Sequence, residues 1–219
     1  MSKGRKIELK TTESVLAIGN NGIMTIQFID NKYLCLQSAI DSILRINVRN
    51  VKDNSEYSVY ALNGQIVDNN DSKLIISYEI PVNQFDSTLI KAEIVISVAD
   101  DAFCFSGTAI CKSDKLLIKD LTFPVFSEIS CPDSSTQIFW PNSLGERFRS
   151  PVQFAARSFD YPATSGSMPW FTVNSGNQGI YIGCHDSERG SKTFRLEYLK
   201  KRNTTISCPR KHIQSTVLK

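Results

Sequence analysis

The side chains in this sequence that could do covalent or acid–base chemistry are few and poorly grouped. Only two histidines occur, His185 and His212, and the second lies in a basic tail. No Gly-x-Ser-x-Gly elbow is present to raise a serine nucleophile at a strand-to-helix turn. The six cysteines are Cys35, Cys104, Cys111, Cys131, Cys184 and Cys208. None forms a Cys-x-x-Cys pair and no histidine cluster accompanies them, so no metal site is expected. Phosphate-cradling glycine motifs are absent, which argues against nucleotide cofactors, and no cofactor of any kind is expected.

Carboxylates are the next resource. Cleavage of a glycosidic bond needs two of them held across a cleft. Glu128, Glu146, Asp160, Asp186 and Glu188 all fall in the second half of the chain. Nothing in their spacing makes two of them face each other, and acidic residues in polar loops are ordinarily solvated. No catalytic residue is therefore assigned.

Aromatic residues carry more information. A sugar ring has an apolar face edged by hydroxyls; proteins meet the face with Trp or Tyr and the hydroxyls with polar side chains. Trp140, Tyr161, Trp170 and Tyr181 could supply faces, and Asn142, Arg147, His185 and Asp186 could supply polar partners. A competing reading makes Trp140 and Trp170 core plugs beneath a long loop, since large aromatics are usually buried. For His185-Asp186, which follows the apolar run Ile180 to Cys184, a simple turn and a binding role are both open.

The elements that must position these residues are strands. Period-two alternation dominates, and no window shows sustained 3.6-residue periodicity, so few or no long helices are expected. Gly22 to Asp30 reads as a strand, turning at Asp30-Asn31-Lys32 into Tyr33 to Leu36. Leu44 to Val48 and Tyr57 to Leu62 follow, and Asn63-Gly64 signals a hairpin into Gln65 to Val67. Asp68 to Asp71 marks a further turn. Lys73 to Ile80 is a strand stopped by Pro81. Leu89 to Val98 and Ala102 to Cys111 form a long hairpin around Asp100-Asp101, and Lys115 to Phe123 adds a strand. A short helical turn fits Ser38 to Ser42. From Phe123 to Trp170 proline and aromatics crowd together and regular strands look scarce. Gly179 to Cys184 and Thr193 to Leu199 resume the pattern.

These signals predict an all-β protein, an antiparallel β-sandwich. Residues 1–199 form one domain, with a Pro- and aromatic-rich loop half at 121–175. Residues 200–219 read as an edge strand or as a linker to a downstream domain. A net charge of +3, from 25 basic and 22 acidic residues, gives no electrostatic case for nucleic acid. No run approaches the roughly 20 apolar residues that span a bilayer, so no membrane partner is expected. The start, MSKGRKIELK, has no apolar segment or small-residue cleavage site, which predicts a cytoplasmic protein with reduced thiols. A trimmed leader would instead make the protein secreted. Asn203-Thr204-Thr205 fits a glycosylation sequon, silent without secretion.

Three runs carry a family resemblance. The first is Leu121 to Phe126 followed by Phe139-Trp140-Pro141-Asn142-Ser143-Leu144-Gly145-Glu146. The second is Tyr161-Pro162 with Met168-Pro169-Trp170-Phe171. The third is Gly179-Ile180-Tyr181-Ile182-Gly183-Cys184-His185-Asp186. Their order resembles the N-terminal β-supersandwich domain, galactose-mutarotase-like, of bacterial glycoside hydrolases that are distantly like endo-α-N-acetylgalactosaminidases and α-galactosidases. Pro169 stands where the family pattern has a different residue before the tryptophan. The specific part of the likeness covers about residues 121 to 199. It implies a non-catalytic module packed on a downstream (β/α)8 barrel that holds the catalytic carboxylates, with carbohydrate as the common ligand. It implies Trp170, His185 and Asp186 as substrate-side or interdomain contacts; Tyr161, Trp140 and Arg147 join them as candidates on the chemistry of their side chains. Alternatives are a free-standing carbohydrate-binding module and an aldose 1-epimerase-like isomerase, which needs two histidines and a glutamate around the sugar.

Overall fold

Strand formation follows the alternation closely. The computed structural model describes residues 7–19, 23–29, 35–38, 43–82, 89–130, 136–150, 153, 156–162, 166–176, 178–185, 191–199, 205–207 and 216–218. The first half supplies β1 (Ile7–Lys10), β2 (Ser14–Ile18), β3 (Met24–Phe28), β4 (Cys35–Ser38), β5 (Arg45–Asn50) and β6 (Glu56–Tyr60). It continues with β7 (Gln65–Asn70), β8 (Lys73–Pro81), β9 (Leu89–Ala99), β10 (Ala102–Cys111) and β11 (Leu116–Thr122). The second half adds β12 (Phe126–Ser130), β13 (Gln137–Trp140), β14 (Glu146–Phe148), β15 (Ala156–Tyr161), β16 (Trp170–Ser175), β17 (Gln178–Gly183) and β18 (Lys192–Leu199). Two short tail strands close the series, β19 (Thr205–Ser207) and β20 (Thr216–Leu218). Apart from a helical position at Gln153, the described elements are strands.

The described strands make three antiparallel sheets. One has eight strands in the order β1-β2-β3-β4-β12-β19-β18-β15; a second has nine, β14-β13-β16-β17-β20-β10-β9-β8-β7; a small third is β11-β5-β6. Within β8, Leu74, Ile76, Tyr78 and Ile80 turn inward, and Ile90, Ala92, Ile94 and Ile96 of β9 do the same. Each of the leucines and isoleucines contributes about 1.5–3 kcal/mol when fully buried. The large sheets meet through aromatic rings. Trp140 of β13 lies 4.9 Å edge-on from Phe159 of β15, which stacks at 4.8 Å on Phe194 of β18. Phe105 of β10 contacts Phe126 of β12 at 6.4 Å. Leu44, Ile46, Val48 and Leu121 of the small sheet and its entry join the same core.

Several expectations need correction. Asn63-Gly64 is not a hairpin turn: β6 pairs with β5, and β7 pairs with β8 in another sheet. Asn63 does take the left-handed conformation, φ 57°. Gly64 serves close approach instead, because a Cβ there would meet Ile76 and Tyr78 at 2.5 Å. Asp68 to Asn70 belong to β7, so the reversal falls on Asp71-Ser72. The span from Phe123 to Trp170 is not poor in strands; it supplies β12 to β15. The tail strands are not at an edge: β19 lies between β12 and β18, and β20 between β17 and β10. Ladder bonds are made by backbone, so a strand needs no strong apolar pattern to enter a sheet. The hairpin across Asp100-Asp101 forms as expected, with both residues at positive φ. The turn at Asp30 to Lys32 and most of the helical turn near Ser38 to Ser42 lie outside the described residues.

Candidate functional site

Four neighbouring strands at one end of the nine-stranded sheet place their outward residues in rows. Cross-strand register sets Arg147 opposite Phe139, Phe139 opposite Thr172, and Thr172 opposite Tyr181. Opposed residues share a face, so these four project together. The inward set behind them, Ile138, Trp140, Phe171, Val173, Ile180 and Ile182, is buried. Arg147 holds its guanidinium 5.4 Å over the Phe139 ring, and its Nε and Nη2 donate to Gln137 Oε1 at 3.0 and 2.5 Å. Asn174 Nδ2 donates to Thr172 Oγ1 at 3.0 Å.

The end of this row is an aromatic group. Trp170 and Tyr181 have ring centroids 5.6 Å apart at 31°. Tyr181 and His185 are nearly parallel, with centroids 5.8 Å apart, and Tyr181 Oη lies 2.8 Å from His185 Nε2. A 2.8 Å contact is shorter than a face-to-face stack allows, so the two rings meet edge to edge through the hydrogen bond. Gly183 makes this possible. It sits directly across from Trp170, and a Cβ on it would come within 2.6 Å of Tyr181 Oη. The phenol therefore lies along its own strand, over the glycine, and reaches His185. Partial burial pushes the Tyr181 hydroxyl above its ordinary pKa. Cys184 N donates to Pro169 O at 2.8 Å, which pins the chain on either side of the group.

The expected residues thus divide. Trp170, His185 and Arg147 share one face, with Trp170 half-buried and the other two exposed. Trp140 corrects the expectation of a sugar-facing ring. It is 2% exposed, between Phe159 and Phe171, and the core-plug alternative holds for it. Tyr161 is on the eight-stranded sheet, paired with Lys192 and packed against the core, away from the row. Asn142 forms an isolated bridge with Gly166 in the turn between β13 and β14. Asp186 lies outside the described residues, as does Glu188. Of the other carboxylates, Glu146 of the nine-stranded sheet approaches Arg157 of the eight-stranded sheet at 3.9 Å, and Asp160 accepts from Thr193 Oγ1 at 2.5 Å within the eight-stranded sheet. Among the described residues no group of three or more His, Cys, Asp or Glu could hold a metal. A small apolar gap between the sheets, near Phe28, Leu36 and Phe103, offers one polar group of note, Asp101, already bonded to Thr12 N and Oγ1 at 2.7 and 2.5 Å. Phe139, Thr172, Asn174 and Gln137 were not singled out from sequence. The signal available was the alternation of Gln137 to Trp140 and Trp170 to Ser175, which separates two faces without saying which is wet.

No family model and no curated protein matches this sequence. The structure is similar to GH36 α-galactosidases from Geobacillus stearothermophilus. For AgaA in complex with raffinose the TM-score is 0.54 at 10% identity, covering 98% of this chain and 40% of that one. For AgaB it is 0.53 at 8% identity, covering 100% and 40%. AgaA with 1-deoxygalactonojirimycin gives 0.52 at 10% identity, covering 98% and 40%. The chain therefore spans about 40% of the length of these solved structures. The shared property is the fold, an all-β arrangement matching their N-terminal β domain.

Proposed function

We propose that this chain is the non-catalytic N-terminal module of a carbohydrate-active enzyme and works packed beside a catalytic (β/α)8 barrel. One observation carries the proposal: 98% of this chain superposes on 40% of an α-galactosidase chain. In the GH36 enzymes this domain adjoins a catalytic barrel. Exposed apolar side chains support a docking role. Leu144 is wholly exposed at the tip of the β13–β14 turn. Met168 is exposed on the adjoining segment, which Ser167 N ties to Pro141 O at 2.9 Å. Burying these two side chains against a neighbouring domain would remove apolar surface from water.

The test is turnover of aryl α-galactosides by the isolated chain. The expected result is no hydrolysis above background. Saturable turnover that follows the chain through purification and fails when Glu146 or Asp160 is changed to its amide would overturn the accessory role. A free-standing carbohydrate-binding module is a second reading, favoured by the solvent-facing rings at Trp170, Tyr181 and Phe139. An aldose 1-epimerase gains no support from the geometry, because His185 engages Tyr181 on an open sheet face and has no second histidine beside it among the described residues.

A further inference from the structure

The outward face of β14, β13, β16 and β17 combines three features that seldom coincide on a solvated sheet. Its aromatic rings are held in place. Trp170, Tyr181 and His185 form one group, fixed by the Tyr181–His185 hydrogen bond and seated on Gly183. A fourth ring, Phe139, is 37% exposed and faces Thr172. Its polar groups lie at the edges of those rings, with spare hydrogen-bonding capacity. His185 uses Nε2 on Tyr181 and Arg147 uses Nε and Nη2 on Gln137; among the described residues His185 Nδ1 and Arg147 Nη1 have no partner and remain for a ligand. Finally, bulk is removed where it would interrupt the surface. Gly183 lies under Tyr181, and Gly179 lies under Asn174, whose amide oxygen occupies the place of a Cβ.

We propose that this face is a saccharide-binding platform, with Trp170 and Tyr181 stacking on a pyranoside that presents an uninterrupted C–H face, and His185 and Arg147 bonding its hydroxyls. The proposal rests on the reading of the chain as a carbohydrate-active module for its choice of ligand class. The chemistry points the same way. An apolar peptide would offer nothing to His185 Nδ1 or Arg147 Nη1, whereas a sugar supplies apolar face and hydroxyls together. Three inter-strand steps separate Arg147 from Tyr181, roughly 14 Å. That length suits an oligosaccharide lying across the strands better than a single ring. Gly183 is a positioning residue: it touches no ligand but decides where the phenol lies.

The experiment is isothermal titration of the intact chain against a panel of galacto-, gluco- and manno-configured oligosaccharides, repeated with Trp170→Ala, Tyr181→Ala and Gly183→Ala. Wild-type protein should bind at least one member. Trp170→Ala and Tyr181→Ala should each weaken that binding by about tenfold or more. Gly183→Ala keeps both rings yet displaces the phenol, so it should weaken binding as well. Tryptophan fluorescence should shift on binding in the wild type and not in Trp170→Ala, where Trp140 alone remains. Circular dichroism of each variant separates lost affinity from lost fold; for a variant that unfolds, Tyr181→Phe, which removes only the hydrogen bond to His185, takes its place and should weaken binding. Affinity unchanged in the folded ring variants would overturn the platform and leave the carbohydrate reading standing, with sugar bound elsewhere. No binding by wild type to any member would overturn the platform too, while the barrel-partner proposal stays with the hydrolysis test.

Discussion

At the scale of the residue, the two tryptophans have opposite fates for a geometric reason. Trp140 is an even step from Ile138 and shares its inward side, so its indole meets Phe159 and Phe171. Trp170 precedes Phe171 by one residue and so takes the outward side of β16. The consequence is measurable. Trp140→Ala opens a core cavity and should cost about 3–5 kcal/mol in urea denaturation. Trp170→Ala, at a half-buried outward position, should cost only about 1 kcal/mol. Equal losses would mean that the second indole is structural. Gly183 illustrates a subtler dependence. Its missing side chain is what lets a tyrosine two residues earlier lie flat along the strand, a relation that no residue-by-residue reading of Tyr181-Ile182-Gly183 would single out.

At the scale of the element, β19 and β20 matter more than their three residues suggest. Each is inserted between strands that would otherwise have open edges. β20 pairs Val217 with Cys104 on one side and with Gly183 on the other, so it joins the aromatic face to the long β9–β10 hairpin. Removing residues 200–219 leaves unpaired N–H and C=O groups on β10, β17, β12 and β18. The expected outcome is faster hydrogen exchange at Phe103, Phe105 and Gly183, with a rising tendency to aggregate. Unchanged exchange there would show that the tail is dispensable. By contrast β7 has a natural edge: all six of its residues are exposed, and Ile66 and Val67 are among them.

At the scale of the whole molecule, one buried phenol links stability to alkaline pH. Tyr78, on the inward side of β8, is pushed by burial from 10.0 up to about 12. In the unfolded chain it ionises near 10, whereas in the folded chain it keeps its proton. Its contribution is therefore complete below pH 10 and is lost as pH rises toward 12. Chemical denaturation midpoints should fall across that window, and Tyr78→Phe should flatten the fall. At the acid end, Asp101 is held below its ordinary value by hydrogen bonds from the Thr12 hydroxyl and backbone N–H. That tie fastens the β1–β2 turn to the β9–β10 turn and weakens as the carboxylate is protonated.

The secondary-structure class, most strand positions in the first half and the β9–β10 hairpin are legible in the residues alone, because alternation and turn residues act over a few neighbours. The sequence also offered Trp170, His185, Asp186, Tyr161, Trp140 and Arg147 as residues that could meet a ligand, of which Trp170, His185 and Arg147 share the outward face. Tertiary structure alone decided which strands became neighbours, as the failed Asn63-Gly64 hairpin and the centrally placed tail both illustrate. It alone decided that Trp140 faces inward, that Tyr161 belongs to the other sheet, and that Phe139 and Thr172 complete the outward row. The physical reason is that backbone pairing is chemically uniform along a strand. A strand's partners, and which of its two faces stays wet, depend on what the remainder of the chain brings against it.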